Sequence, residues 1–160
     1  MDALTILKPD DWHVHLRDGA ALASVVRFTA ERFGRAIVMP NLKPPVVTTA
    51  LAADYLSRIR GALSPGSGFV PLMTLYLTDT TPPDEIDRAA ASGIVHGVKL
   101  YPAGATTHSD AGVSDIGKTY AVLERMQKLG MPLLVHGESA RADVDRSGRA
   151  SCRERVSPYV

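Results

Sequence analysis

The chain has 160 residues, enough for one ordinary domain with one core. Hydrophobic residues make up 45% and charged residues 22%, a globular balance that excludes a disordered chain. The formal net charge of +1 offers no global field for nucleic acid or an anionic membrane. No apolar run approaches the roughly 20 residues of a membrane span. Met1-Asp2-Ala3-Leu4 lacks a basic segment leading into a long apolar one, so no secretory signal is expected. The single cysteine, Cys152, allows no internal disulfide, and a reducing cytoplasm is the expected location.

Five apolar runs alternate with four helical patterns. The first run, Trp12 to Leu16, carries His13 and His15. Residues two apart share one face of a strand, so the two imidazoles point together and Val14 and Leu16 point the other way. Converging imidazoles suit a metal of the zinc class. Taken alone, the pair reads better as two surface histidines. Arg17 and Asp18 follow at the rim.

A helix is expected over about Ala20 to Phe33, burying Leu22, Val25, Val26, Thr29 and Phe33, with Gly34 as C-cap. The second run, Ala36 to Met39, ends in Pro40-Asn41. Thr48 or Thr49 caps the next helix, which turns Leu51, Tyr55, Ile59 and Leu63 inward. The third run is Phe69 to Leu77, and Thr81-Pro82-Pro83-Asp84 then reads as a threonine-capped helix start ending at Gly93. The fourth run, Ile94 to Leu100, leads into a polar loop from Pro102 to Gly112. A helix from Ser114 or Asp115 buries Ile116, Tyr120, Leu123 and Met126 and stops at Gly130. The fifth run, Met131 to Val135, ends in His136-Gly137-Glu138.

Strand and helix alternation predicts an α/β fold with a parallel sheet and crossover helices. His13, His15, Asn41, Thr78, Lys99 and His136 all fall at or near the C-terminal ends of their runs. A (β/α)8 TIM barrel gathers such ends around one mouth, where its active sites lie, whereas an open sheet spreads them along a line. No Gly-x-Gly-x-x-Gly turn or Walker-type loop supports a nucleotide-binding open sheet. Five βα units do not close a barrel that takes typically ~250 residues, so a truncated barrel over residues 1–146 is the expectation. From Ser147 to Val160 neither periodicity persists, and this stretch reads as a non-native tail from a frame or cloning artefact rather than an arginine-rich arm for nucleic acid.

Lys99 is the unusual member of the strand-end set. A lysine among cations at a barrel mouth favours its neutral amine, which can take up carbon dioxide and become an anionic, two-oxygen ligand able to bridge two metals. A lysine paired to a nearby acid is the plainer alternative.

The sequence resembles the dihydroorotases of the short bacterial monofunctional type, in the amidohydrolase superfamily. The matching segments are Asp11-Trp12-His13-Val14-His15-Leu16-Arg17-Asp18, Ala36-Ile37-Val38-Met39-Pro40-Asn41-Leu42, Gly97-Val98-Lys99-Leu100-Tyr101-Pro102-Ala103, Ala105-Thr106-Thr107 and Val135-His136-Gly137-Glu138. They cover about residues 3–146, as the N-terminal part of such a protein. The resemblance implies two zinc ions per subunit, with His13 and His15 on one, His136 on the other, and Lys99 as a bridging N6-carboxylysine. It implies that Arg17 and Asn41 hold the substrate carboxylate and that Thr106 and Thr107 lie on a loop closing over the substrate. The implied reaction is the reversible interconversion of N-carbamoyl-L-aspartate and (S)-dihydroorotate in pyrimidine biosynthesis, by a cytoplasmic homodimer without nucleic-acid or membrane partners.

The family's further histidine ligand and its aspartate, which is ligand and proton shuttle, belong to later strands. No catalytic base is therefore assigned here, and the 160-residue chain alone is expected to be inactive and poorly folded. Two other readings stand beside this one: a hydantoinase-like cyclic amidohydrolase, and a catalytically dead barrel serving as a subunit scaffold. His96 is expected to pack or face solvent and His108 to be solvated. Asp79 and Glu138 are candidate partners of ligands or plain surface and capping groups, and Asp18 is a candidate cap of the first helix.

Overall fold

The computed structural model describes residues 4–138. Five strands, β1 (Asp11–Val14), β2 (Arg35–Val38), β3 (Val70–Tyr76), β4 (Val95–Leu100) and β5 (Leu133–Val135), form one sheet in that order. Every neighbouring pair is parallel. Between them run α1 (Ala20–Arg32), α2 (Thr49–Ala62), α3 (Pro83–Ser92) and α4 (Tyr120–Leu129), the last entered through a 3-10 turn at Ile116–Thr119. Sequential order with one crossover helix per step is the winding of a (β/α)8 barrel, here over five strands. Helix residues Leu22, Val26, Tyr55, Ile59, Ile86 and Met126 meet strand residues Val38, Leu75 and Val98 in one core. All strand C-termini consequently lie at one end.

The helix ends follow local chemistry. Thr48 caps α2 by accepting the Leu51 N–H at 3.3 Å. Gly93 and Gly130 end α3 and α4 in the left-handed conformation, with φ of 67° and 65°. Three expectations are corrected. Gly34 is not the cap of α1: Phe33 takes that place in an extended conformation, and the Gly34 N–H donates to Pro9 O at 2.8 Å. Strand β2 begins at the next residue, which leaves no length for a left-handed turn. Thr81 does not cap α3: Pro82 holds the cap position, and the Thr81 hydroxyl accepts the Thr78 N–H at 2.9 Å, closing the turn after β3.

The third correction concerns helix faces. Ile116 and Tyr120 are exposed, at 44% and 63%, while Thr119, Val122 and Met126 are buried. The 3-10 turn spends three residues per turn, so it shifts the phase of the stripe entering α4. In α2 the buried stripe is Ala52, Tyr55, Leu56 and Ile59, and Leu51 is exposed. Steps of four residues drift about 40° each, so Leu51, Tyr55, Ile59 and Leu63 cannot all face one core.

Both outer strands carry exposed apolar side chains, Trp12 on β1 and Val135 on β5, at 59% and 53%. A parallel sheet normally has both faces covered, so these positions fit a barrel wall that continues past the described strands. The expected boundary at residue 146 and the tail 147–160 lie outside the described residues. Among the described residues no helix is long and apolar enough to cross a membrane.

Glu85 ties the helical layer together. Its buried carboxylate accepts the Thr49 N–H at 2.6 Å and the Thr49 hydroxyl at 2.7 Å, and Arg88 reaches it at 2.8 Å. Burial pushes its pKa up, but the two Thr49 hydrogen bonds and the Arg88 cation outweigh that and leave the carboxyl below its ordinary value. A depressed carboxyl contributes stability above its unfolded pKa and loses it as pH falls through the folded one. Glu85→Gln is therefore expected to cost about 1–2 kcal/mol in neutral urea titrations, with the deficit shrinking in acid. An equal deficit at both pH values would contradict this account.

Candidate metal and substrate site

The end of β1 aims the first two side chains. His13 lies on the strand and His15 just beyond it, and their Nε2 atoms stand 3.2 Å apart. Leu16, pointing the other way, is fully buried. Two nitrogens each bound at tetrahedral zinc distances lie about 3.3 Å from one another. The observed spacing therefore fits one shared cation.

Burial lowers the His13 pKa, and the nearby Lys99 and His136 charges lower it further against an opposing pull from Asp11. Burial also lowers that of His15, helped by His13, Arg17 and Lys99 and opposed by a hydrogen bond with Asn41. Neutral imidazole is the form that binds metal. These couplings also show that β1, Asn41, Lys99 and His136 share one electrostatic space.

Lys99 enters that space from the end of β4 and is 2% exposed. Its register is fixed on both sides, opposite Tyr76 on β3 and Leu134 on β5. Tyr101, two residues on, stacks on Tyr76 with centroids 5.1 Å apart and meets the His136 ring at 5.8 Å. The Lys99 ammonium lies 5.1 Å from the Tyr101 centroid. The Tyr101 hydroxyl is buried without a hydrogen-bond partner among the described residues, a donor available to a further polar group in this mouth. His136 donates its N–H to Leu100 O, and its Nε2 meets Glu138 Oε2 at 2.9 Å.

The loop after β4 folds over these strand ends. Val113 returns to Tyr101 O, and Ser109 binds both the N–H and the carbonyl of Thr106, which makes the loop a compact unit. Asn41 is buried, and its Nδ2 donates to Thr107 O at 3.2 Å. His108 Nδ1 sits 3.2 Å from Asn41 O, while Tyr76 donates its hydroxyl to His108 O at 3.3 Å. His108 is thus half-buried on the site rather than solvated, and its φ of 57° turns the chain there. The correction arises because the loop packs back on Asn41, a contact 67 residues away in sequence.

Arg17 is exposed at the rim and has a φ of 62°, a conformation rare for a side chain of its kind. Asp18 does not reach into α1 as a side-chain cap: Gly19 holds the cap position, and Asp18 pairs with Arg58 of α2 at 2.8 Å. Asp79 binds Ser114 and Lys118 at the far end of the loop, which holds its carboxyl well below the usual range. His96 is exposed.

The structure thus brings His13, His15, Asn41, Lys99 and His136 to one mouth, with Arg17 at its rim and Thr106 and Thr107 on the covering loop. Among the described residues no three His, Cys, Asp or Glu side chains form a metal-sized group. Lys99 acts on both imidazoles, and Asp11 and His136 act on His13 as well. Sequence reasoning overlooked Tyr76, Tyr101, Tyr55 and Arg58. The two strand-end tyrosines were findable from their positions, Tyr101 by its spacing from Lys99, but the two α2 residues carry no local signal.

No protein-family profile matches the chain. Among curated proteins it is similar to the dihydroorotase of Aromatoleum aromaticum, 66% identical over 145 residues, covering 91% of this chain and 42% of that protein. It is 68% identical over 142 residues to the dihydroorotase of Methylobacillus flagellatus, covering 89% of this chain and 41% of that one. The chain therefore spans about two fifths of the length of the curated relatives it matches. The crystal structure of a Campylobacter jejuni dihydroorotase superposes with a TM-score of 0.79 at 39% identity, over 90% of this chain and 41% of that one. A Saccharomyces cerevisiae dihydroorotase in complex with 5-fluoroorotic acid gives 0.77 at 34% identity, over 89% and 41%. An L-hydantoinase of Arthrobacter aurescens gives 0.64 at 17%, over 82% and 29%, a likeness of fold alone.

The Asn41 contact generates a test. Asn41→Ala removes the side-chain tether to Thr107 O, worth about 1 kcal/mol. Amide exchange at residues 106–109 is expected to quicken about fivefold, with exchange in β3 unchanged. Unchanged loop exchange would show that Asn41 does not hold the loop.

Proposed function

From a chain that belongs to the dihydroorotase family over about nine tenths of its length, we propose a zinc-dependent cyclic amidohydrolase that interconverts N-carbamoyl-L-aspartate and (S)-dihydroorotate. The observation that carries this is the imidazole pair, its Nε2 atoms 3.2 Å apart, beside the buried end of β4 where Lys99 sits.

His13 and His15 would hold one zinc, and His136 a second after exchanging its Glu138 bond. Lys99 would bridge them as N6-carboxylysine. Its ammonium would give up one proton, and the amine would bond to the carbon of carbon dioxide with loss of a second, which turns a cation into an anion with two donor oxygens. The Tyr101 hydroxyl is a donor already placed in that neighbourhood. When bound, the metal pair supplies Lewis acidity and lowers the pKa of a bound water from 15.7 towards ~7. The hydrolytic direction would add the elements of water across the ring amide: the oxygen joins the acyl carbon, the ring C–N bond breaks and the nitrogen takes a proton.

Arg17 and Asn41 would bind the substrate carboxylate, a cation and an amide donor suited to an anionic oxygen pair. The loop bearing Thr106 and Thr107 would exclude water over the ring. The family's aspartate base and remaining histidine ligand are not among the described residues, so the described part supplies binding groups without the proton shuttle. Residues 1–146 would be barrel and 147–160 a non-native tail. The whole protein would work as a cytoplasmic homodimer.

The test uses the intact polypeptide in which this sequence occurs. It should retain two zinc ions per chain and open dihydroorotate at least ~100-fold faster than dihydrouracil, which lacks the carboxylate. Arg17→Gln should lower kcat/KM about 10–100-fold, mostly through KM. Equal rates on both rings would favour a hydantoinase-like enzyme. Failure to hold metal would favour a catalytically dead scaffold. The 160-residue chain alone should show no turnover.

A further inference from the structure

The turn that carries Arg17 is held from outside the mouth, by one helix. Arg17 and Gly19 both have positive φ, 62° and 58°, with Asp18 between them. Glycine takes such a conformation freely, but a side chain as large as arginine does not, so the surroundings must impose it.

Two residues of α2 do so. The Tyr55 hydroxyl donates to Arg17 O at 2.5 Å, and Tyr55 is 1% exposed. Arg58 grips Asp18 with two parallel bonds, Nε to Oδ1 at 3.0 Å and Nη2 to Oδ2 at 2.8 Å. Asp18 Oδ1 also accepts the Gly19 N–H at 2.9 Å. Tyr55 and Arg58 are three apart on the helix and share a face, with the Arg58 guanidinium 5.4 Å from the Tyr55 ring centroid. One face of α2 therefore fixes the carbonyl of Arg17 and the carboxylate of the next residue at once.

We infer that Tyr55 and Arg58 are positioning residues for the substrate carboxylate. They act through the backbone of Arg17 and touch neither the ring nor the metal site. This rests on the reading of Arg17 given above. A packing role alone would predict a general loss, spread over every ligand of the mouth. Positioning of Arg17 predicts a loss confined to ligands that bear the carboxylate.

The test compares orotate with uracil as inhibitors of the intact polypeptide, the same ring with and without the carboxylate. Tyr55→Phe keeps the ring and deletes only the donor. It should raise the inhibition constant of orotate about 5–10-fold and leave that of uracil unchanged. KM for dihydroorotate should rise by a similar factor with kcat little altered. Arg58→Gln, on a half-exposed pair that tolerates change, should act in the same direction and carries the test if Tyr55→Phe fails to fold. Equal weakening of both inhibitors, or none in either, overturns the inference while leaving Arg17's role standing. A wild-type protein that binds orotate no better than uracil overturns the reading of Arg17 itself, and this inference with it.

Discussion

The parallel pairing of β4 between β3 and β5 decides what the mouth can be. It sets Lys99 opposite Tyr76 on one side and Leu134 on the other, and Leu77 donates its N–H to Lys99 O at 2.9 Å. With the backbone fixed on both sides, the side chain has one direction to take, into the space of the two imidazoles. The same register puts Tyr101 beyond Lys99 on the same face, between Tyr76 and His136. A slip of one residue would send Lys99 outward and bring Val98 or Leu100 into the mouth. The proposed metal side of the mouth thus depends on backbone hydrogen bonds more than on any side-chain contact.

The carboxylate side is built differently. Arg17 and Asn41 lie on connections after strands, where no ladder fixes direction. The helical layer replaces it. Glu85 of α3 anchors the start of α2 through Thr49, and the middle of α2 then holds the turn at Arg17. Asn41 is fixed from above instead, by Thr107 and His108 of the loop. One amide hydrogen goes to Thr107 O, and an amide nitrogen carries two, so the second can serve a ligand while the first holds the loop. Under the proposed role of Asn41, loop position and carboxylate binding would meet in a single side chain.

How much of this was legible in the sequence follows from the range of each interaction. Alternating runs exposed the parallel winding, because periodicity is local. His13 and His15 declared themselves through the two-residue period of a strand, and Lys99 and His136 through their places at strand ends. Helix phase was less readable. A four-residue count misassigned Leu51, and the unexpected 3-10 turn turned Ile116 and Tyr120 to solvent. The contacts of Tyr55 and His108 could not be read from sequence, since each acts on a residue more than thirty positions away, Arg17 and Asn41 respectively. Tyr101 stood inside a motif that matched the family, yet its partnerless hydroxyl is a fact of packing.

If the mouth holds two divalent ions as proposed, its charges call for a chemical change first. As an ammonium, Lys99 lowers the pKa of both histidines, so it opposes any further positive charge near them. Arg17 adds to that field at His15. Glu138 Oε2 contacts His136, while on the β1 pair the Asp11 carboxylate accepts the His13 backbone N–H and offsets only part of the lowering by burial and Lys99. Two divalent ions at such a site would be repelled. Conversion of the lysine head from cation to carbamate alters the local charge by two units and supplies oxygens where the imidazoles lack a third partner. Carboxylation and metal loading would then be mutually dependent, since the anion is costly in a buried site without the cations and the cations are repelled without the anion. The proposed carboxylate-binding edge would stand apart from this dependence, because Arg17 sits exposed at the rim, on a turn held by α2 rather than by the groups at the strand ends.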